Sequence, residues 1–231
     1  MTKLTIDRPI LVCNFKTYLQ AIGPKAVKLA TYADEVSKST GIQIILTPFI
    51  SDISEIVKTT DLPIFAQHLD YAMPGKNTGH ILPEAMKDLG IKGTLINHIE
   101  KPLKFSETKE TIIRCNQLDL ISCLCSSGFN QSEELAKLNP DIMIIELPDL
   151  IGTGKAISTA NPEIISKAVE NIRKVNQDVT LIAGSGITNS KDIEKAIELG
   201  MQGVGSSNAV VSSNNPKQTL EELALALLDK K

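Results

Sequence analysis

The chain reads as an α/β protein in one domain, residues 1–231, folded as a closed barrel of eight parallel strands with covering helices, (β/α)8. Three observations carry this. Short apolar runs, often β-branched, keep recurring, and most are followed by a segment with helical periodicity. The runs are apolar nearly throughout, as strands covered on both faces must be. Strands alternating with helices pair in parallel through right-handed crossovers, and about eight such units is the content of a closed barrel. An open doubly wound sheet is the competing topology, but no Gly-x-Gly-x-x-Gly follows the first run.

The units follow in order. The first run, 10–13, has Pro9 before it; its helix spans 25–37, where Val27, Leu29, Ala30, Ala33 and Val36 are apolar at helical spacing. Run 42–46 precedes helix 52–58. Run 63–66 leads through a long polar loop, 67–82 with Pro74-Gly75, to helix 83–89. Run 93–96 precedes helix 106–115, run 118–125 precedes helix 132–138, and run 142–145 precedes helix 162–175. Run 179–183 precedes helix 190–199, and a short run at Gly203-Val204 precedes helix 216–228. Boundary chemistry supports several of these. Asn161-Pro162-Glu163 reads as a cap, a proline at the first helical position and an acidic first turn. Ser106 and Ser190 open helical patterns, and Gly90 and Gly200 stop them.

Composition narrows the class of function. Hydrophobic residues make up 42 % and charged residues 22 %, which excludes a disordered chain. Lys+Arg number 24 against 27 Asp+Glu, a formal net charge of −3, so there is no general footprint for nucleic acid or anionic lipid. An anionic partner must be held by a local site. No apolar stretch approaches the roughly 20 residues needed to span a bilayer, and Asp7 and Arg8 interrupt the place where an export signal needs an apolar core. Cys13, Cys115, Cys123 and Cys125 form no Cys-x-x-Cys pair. Cys123 and Cys125 would share a strand face, but a zinc site needs a second ligand pair. They read as core thiols of a reducing, cytoplasmic compartment, and no metal or other cofactor is expected.

In such a barrel the chemistry sits at the carboxyl ends of the strands, so the informative residues come just after each run. These are Asn14-Phe15-Lys16, Asn97-His98-Ile99-Glu100, Glu146 with the segment 147–155, Gly184-Ser185-Gly186-Ile187 and Gly205-Ser206-Ser207-Asn208. Each alone has an ordinary explanation as a loop charge, a cap or a tight turn. Together they bring a cation, a tunable acid or base and a carboxylate to one mouth. The loops after the last two runs add backbone N–H groups where barrels commonly bind phosphate.

Asn14-x-Lys16, Asn97-His98-x-Glu100, Glu146-x-Pro148 with Ile151-Gly152-Thr153-Gly154-Lys155, and Gly184-x-Gly186-Ile187 occur in this order. With that ordered set the chain resembles the triosephosphate isomerases in their short archaeal form, over residues 10 to about 228. The resemblance implies a TIM barrel that interconverts dihydroxyacetone phosphate and glyceraldehyde 3-phosphate through an enediolate. It implies Glu146 as the base, His98 as the neutral electrophile and Lys16 as the cation that supports oxyanion and phosphate. Asn14 would help hold that oxygen, and Glu100 would be a supporting carboxylate. Substrate contacts would fall on Asn14, Lys16, Ile151, Gly152, Gly186, Ser207 and Asn208. Segment 147–155 would be a mobile lid, and loop 67–82 would reach a neighbouring subunit in a dimer or tetramer.

The chain departs from the family pattern at three places. It has Ile99 where the family usually has serine, and Lys101-Pro102 where paired arginines are usual. Pro102 is expected in the first turn of a helix whose positive end faces His98. Ser207-Asn208-Ala209 stands where archaeal relatives tend to read Ala-Ser-Gly. Two readings compete, the first of them motivated by these departures. One is a catalytically weakened relative that binds phosphate or serves assembly; the other is a different sugar-phosphate barrel enzyme.

Overall fold

The structure, a computed structural model, describes residues 3–127, 131–150 and 153–229, with only the backbone of Pro148. In chain order the elements are β1 (Ile10–Asn14), α1 (Pro24–Thr40), β2 (Gln43–Thr47), α2 (Ile53–Thr59), β3 (Phe65–Ala66), α3 (Pro83–Leu89), β4 (Gly93–Ile96) and α4 (Phe105–Gln117). Then come β5 (Ile121–Ser127), α5 (Ser132–Ala136), β6 (Ile142–Glu146), α6 (Ile157–Ala160), α7 (Pro162–Val175) and β7 (Thr180–Ala183). The last are α8 (Ser190–Glu198), β8 (Gly203–Ser206), α9 (Asn208–Val211) and α10 (Pro216–Leu228). The strands form one parallel sheet in the order β2-β1-β8-β7-β6-β5-β4-β3. A parallel bridge from Leu46 to Ile64, with the Leu46 N–H donated to the Pro63 carbonyl at 3.1 Å, closes β2 onto the entry to β3. The eight-stranded barrel read from the alternation is present.

Strand alternation builds two apolar layers. Residues of one parity point inward and form the barrel filling: Ile10, Val12, Ile45, Phe65, Leu95, Ile121, Cys123, Cys125, Ile142, Ile144 and Ile182. Residues of the other parity, such as Leu11, Ile44, Leu124, Ile145 and Leu181, meet the helices. On α1 the covering face is Ala26, Leu29, Ala30, Ala33 and Val36, spaced so that one stripe of the helix is buried. Cys123 and Cys125 share a face of β5, as the two-residue spacing requires, and both are buried free thiols.

Several boundaries move for identifiable reasons. Run 118–125 becomes a strand only at Ile121, because Leu118 ends α4 and Asp119 takes a left-handed backbone, φ 54°. The first turn expected at Pro102 is not helical. α4 starts at Phe105, where the Glu107 carboxylate accepts the Lys104 N–H at 2.9 Å. Two helices of four residues each, α6 and α9, escaped the periodicity reading. At that length no repeating apolar stripe exists to detect.

Candidate active site

The inward parity that fills the barrel with Val12, Ile144 and Ile182 continues two residues further to Asn14, Glu146 and Gly184. The strand ends therefore place a carboxylate on the apolar filling instead of in solvent. The cavity there encloses about 120 Å³; Val12, Leu95 and Ile144 floor it, and Asn14, Lys16, His98, Glu146, Gly186, Ser207 and Asn208 are among its lining. Every substrate or catalytic residue named from the sequence thus meets at one mouth, except Ile151 and Gly152, which lie outside the described residues.

Lys16 follows β1 in a left-handed backbone, φ 48°, a conformation that costs a non-glycine residue roughly 1–2 kcal/mol. Neighbours hold it there. The Asn14 side-chain oxygen accepts the Lys16 N–H at 2.9 Å, and the Gln67 amide donates to the Lys16 carbonyl at 2.8 Å and to the Thr47 carbonyl at 3.1 Å. The ammonium is thereby aimed at the mouth, where it pairs with Glu100 Oε1 at 2.7 Å.

His98 is buried, and its ring is held in one protonation pattern. The Glu100 N–H donates to His98 Nδ1 at 3.2 Å, so the neutral ring carries its proton on Nε2. Burial first, and then the Lys16 cation, push the imidazole below its ordinary titration range; Glu100 opposes them. The helix-end contribution expected from Pro102 is absent, because residues 101–104 are not helical. His98 Nε2 lies 3.7 Å from Glu146 Oε1.

Glu146 ends β6 and is almost completely enclosed. Burial raises its carboxyl to about 7, with Lys16 pulling it down and Glu100 adding to the rise. The 3.7 Å approach to His98 is therefore that of a neutral ring to a poised carboxyl, not a fixed ion pair. A base that titrates near neutrality, a neutral N–H donor and a cation around one small cavity can remove a proton beside a carbonyl and stabilise the resulting oxyanion.

Glycines make the room. A Cβ on Gly184 would lie 2.5 Å from Glu146 Cγ and 2.5 Å from Ile144 Cγ2, so only glycine lets β7 pass behind the carboxylate. At the anion end, Ser207 lines the cavity, and among the described residues its buried Oγ has no hydrogen-bond partner. Asn208 Oδ1 instead accepts from Ser212 Oγ at 2.7 Å. Sequence reasoning missed the side-chain part of Ser185. The sequence presents it as one residue of a backbone-donor loop, yet its hydroxyl bonds both backbone groups of Leu147. That partner is 38 residues away, so no local pattern could announce it.

Comparison with known proteins identifies the family. The family model described as triosephosphate isomerase matches residues 9–224. A curated triosephosphate isomerase of Methanocaldococcus jannaschii is 40% identical over 93% of this chain and 98% of its own length. Those of Sulfurisphaera tokodaii and Saccharolobus solfataricus are 40% and 41% identical, over 96% and 95% of this chain and 98% and 96% of their own.

Proposed function

The chain belongs to the triosephosphate isomerase family, and we propose that Glu146, His98 and Lys16 run its reaction. It is an isomerase that interconverts dihydroxyacetone phosphate and glyceraldehyde 3-phosphate. Glu146 takes a proton from one carbon and returns it to the next. His98 Nε2–H donates to the carbonyl oxygen as negative charge grows there, and the Lys16 cation stabilises the enediolate and the phosphate. The side-chain oxygen of Asn14 is engaged on the Lys16 N–H, which leaves its amide N–H groups for the substrate oxygen. Ser207, Asn208 and Gly186 receive the phosphate, together with Ile151 and Gly152 of the 147–155 lid. Closing that lid excludes water, which otherwise lets an enediolate expel its neighbouring phosphate.

The observation that carries this reading is the meeting of a neutral His98, a buried Glu146 and Lys16 at one cavity. Purified protein assayed for glyceraldehyde 3-phosphate formation, coupled to a dehydrogenase, is expected to turn over with no added metal. A well-folded preparation without activity would overturn it.

Self-association is part of the proposal. Leu19, Ile50, Tyr71 and Met73 are exposed, at 76%, 42%, 48% and 59%. They sit on the loops that leave neighbouring strands β1, β2 and β3 at the mouth, which supports one apolar patch fit for a second copy. Light scattering should return a dimer or tetramer; a monomer at micromolar concentration would refute this. Four free thiols support a reducing, cytoplasmic setting, and the single eight-stranded sheet supports reading 1–231 as one domain.

A further inference from the structure

The base has an indirect support. Among the described residues no hydrogen bond holds the Glu146 carboxylate, so its direction is inherited from the backbone that carries it. That backbone is bonded on both sides to the segment after β7. The Gly184 N–H donates to the carbonyl of Ile145, the residue before Glu146, at 2.9 Å. The Ser185 hydroxyl accepts the N–H of Leu147, the residue after Glu146, at 2.8 Å and donates to the Leu147 carbonyl at 3.2 Å. Ser185 is 1% exposed, so water cannot readily replace its hydroxyl.

The same residue reaches the far end of the segment that follows the base. The Ser185 carbonyl accepts the Ile157 N–H at 3.1 Å. Next to it, Gly186 is left-handed, φ 71°, and a Cβ there would lie 1.9 Å from the Lys155 carbonyl oxygen. These latter contacts are made by backbone and survive a change of side chain at 185. The bonds to Leu147 depend on the hydroxyl alone. A single oxygen that both accepts from and donates to one residue fixes the orientation of the two peptide planes flanking Leu147, and hence the exit direction of the chain at Glu146.

We propose that Ser185 is a positioning residue for the base: through Leu147 its hydroxyl aims the Glu146 carboxylate across the cavity toward His98 Nε2. Ser185 lines the cavity, but its hydroxyl is engaged on both backbone groups of Leu147. The inference rests on Glu146 being the base. It adds that the aim of this carboxylate depends on a hydroxyl 39 residues further along the chain (185 less 146).

The test is steady-state kinetics of Ser185→Ala beside wild type, with dihydroxyacetone phosphate as substrate and rates normalised to folded protein by circular dichroism. Ser185→Cys, which is only slightly larger and offers a weakly hydrogen-bonding sulfur, serves if the alanine variant does not fold. The expected result is a kcat lower by about tenfold with KM within about twofold, since misaiming a catalytic group harms the chemical step more than substrate binding. A kcat within about twofold of wild type, whatever the change in Tm, would overturn the proposal, and so would a loss confined to KM. A wild-type protein that does not isomerise would instead overturn the assignment of Glu146 itself.

Discussion

The backbone N–H of Glu100 donates to Nδ1 of His98 at 3.2 Å. That bond decides which nitrogen faces the substrate cavity with a proton, because a neutral imidazole that accepts at Nδ1 must donate at Nε2. Burial and Lys16 keep the ring below its ordinary titration range, so near pH 7 the donor is a neutral N–H. Nitrogen NMR of the His98 ring at pH 7 is expected to show one neutral form protonated at Nε2. His98→Gln is expected to lower kcat by about a hundredfold, the scale set by removing one oxyanion donor. A charged ring at pH 7, or an unaffected kcat, would contradict this role.

Glu146 gives a linkage between stability and pH. Its folded carboxyl is raised from 4.5 to about 7 by burial, so the neutral form is the one the fold prefers. The associated stability is fully present below pH about 4.5 and is lost as pH rises through about 7. Glu146→Gln keeps the shape and cannot ionise. It should match wild type near pH 4 and exceed it by about 3 kcal/mol at pH 8, at one unit of pKa per about 1.4 kcal/mol. Denaturant melts at the two pH values check it. Equal stability at pH 8 would mean that the carboxylate is not held in the apolar surroundings described.

Ser207 is the cleanest test of the anion end. Among the described residues its buried hydroxyl has no hydrogen-bond partner, so removing it breaks none of the bonds they make. Ser207→Ala should leave Tm unchanged or slightly raised while KM rises by about tenfold, the worth of a hydrogen bond to a charged group. A variant that loses stability but binds substrate normally would show that the hydroxyl serves the fold.

The barrel was legible because its two layers impose a simple pattern, apolar runs for doubly covered strands and striped helices outside. Lys16, His98 and Glu146 were legible because each follows such a run directly. What stayed hidden depends on partners distant in sequence. Ser185 reads as loop filler until Leu147 is placed against it, and the hold of Gln67 on Lys16 spans 51 residues. Pro102 misled for the opposite reason. A helix-start signal is local, but here α4 takes its first turn at Phe105, three residues later (105 less 102), where the Lys104 N–H finds the Glu107 carboxylate.

The most direct test of the central claim is isomerisation of dihydroxyacetone phosphate in deuterium oxide, followed by proton NMR of the product for wild type and Glu146→Gln. Proton transfer through a carboxyl that exchanges with solvent predicts glyceraldehyde 3-phosphate carrying deuterium on the carbon beside the aldehyde. It also predicts a loss of turnover of at least about a thousandfold in the variant, in the range set by removing a general base. Product wholly free of deuterium from wild type, or undiminished turnover by Glu146→Gln, would contradict it.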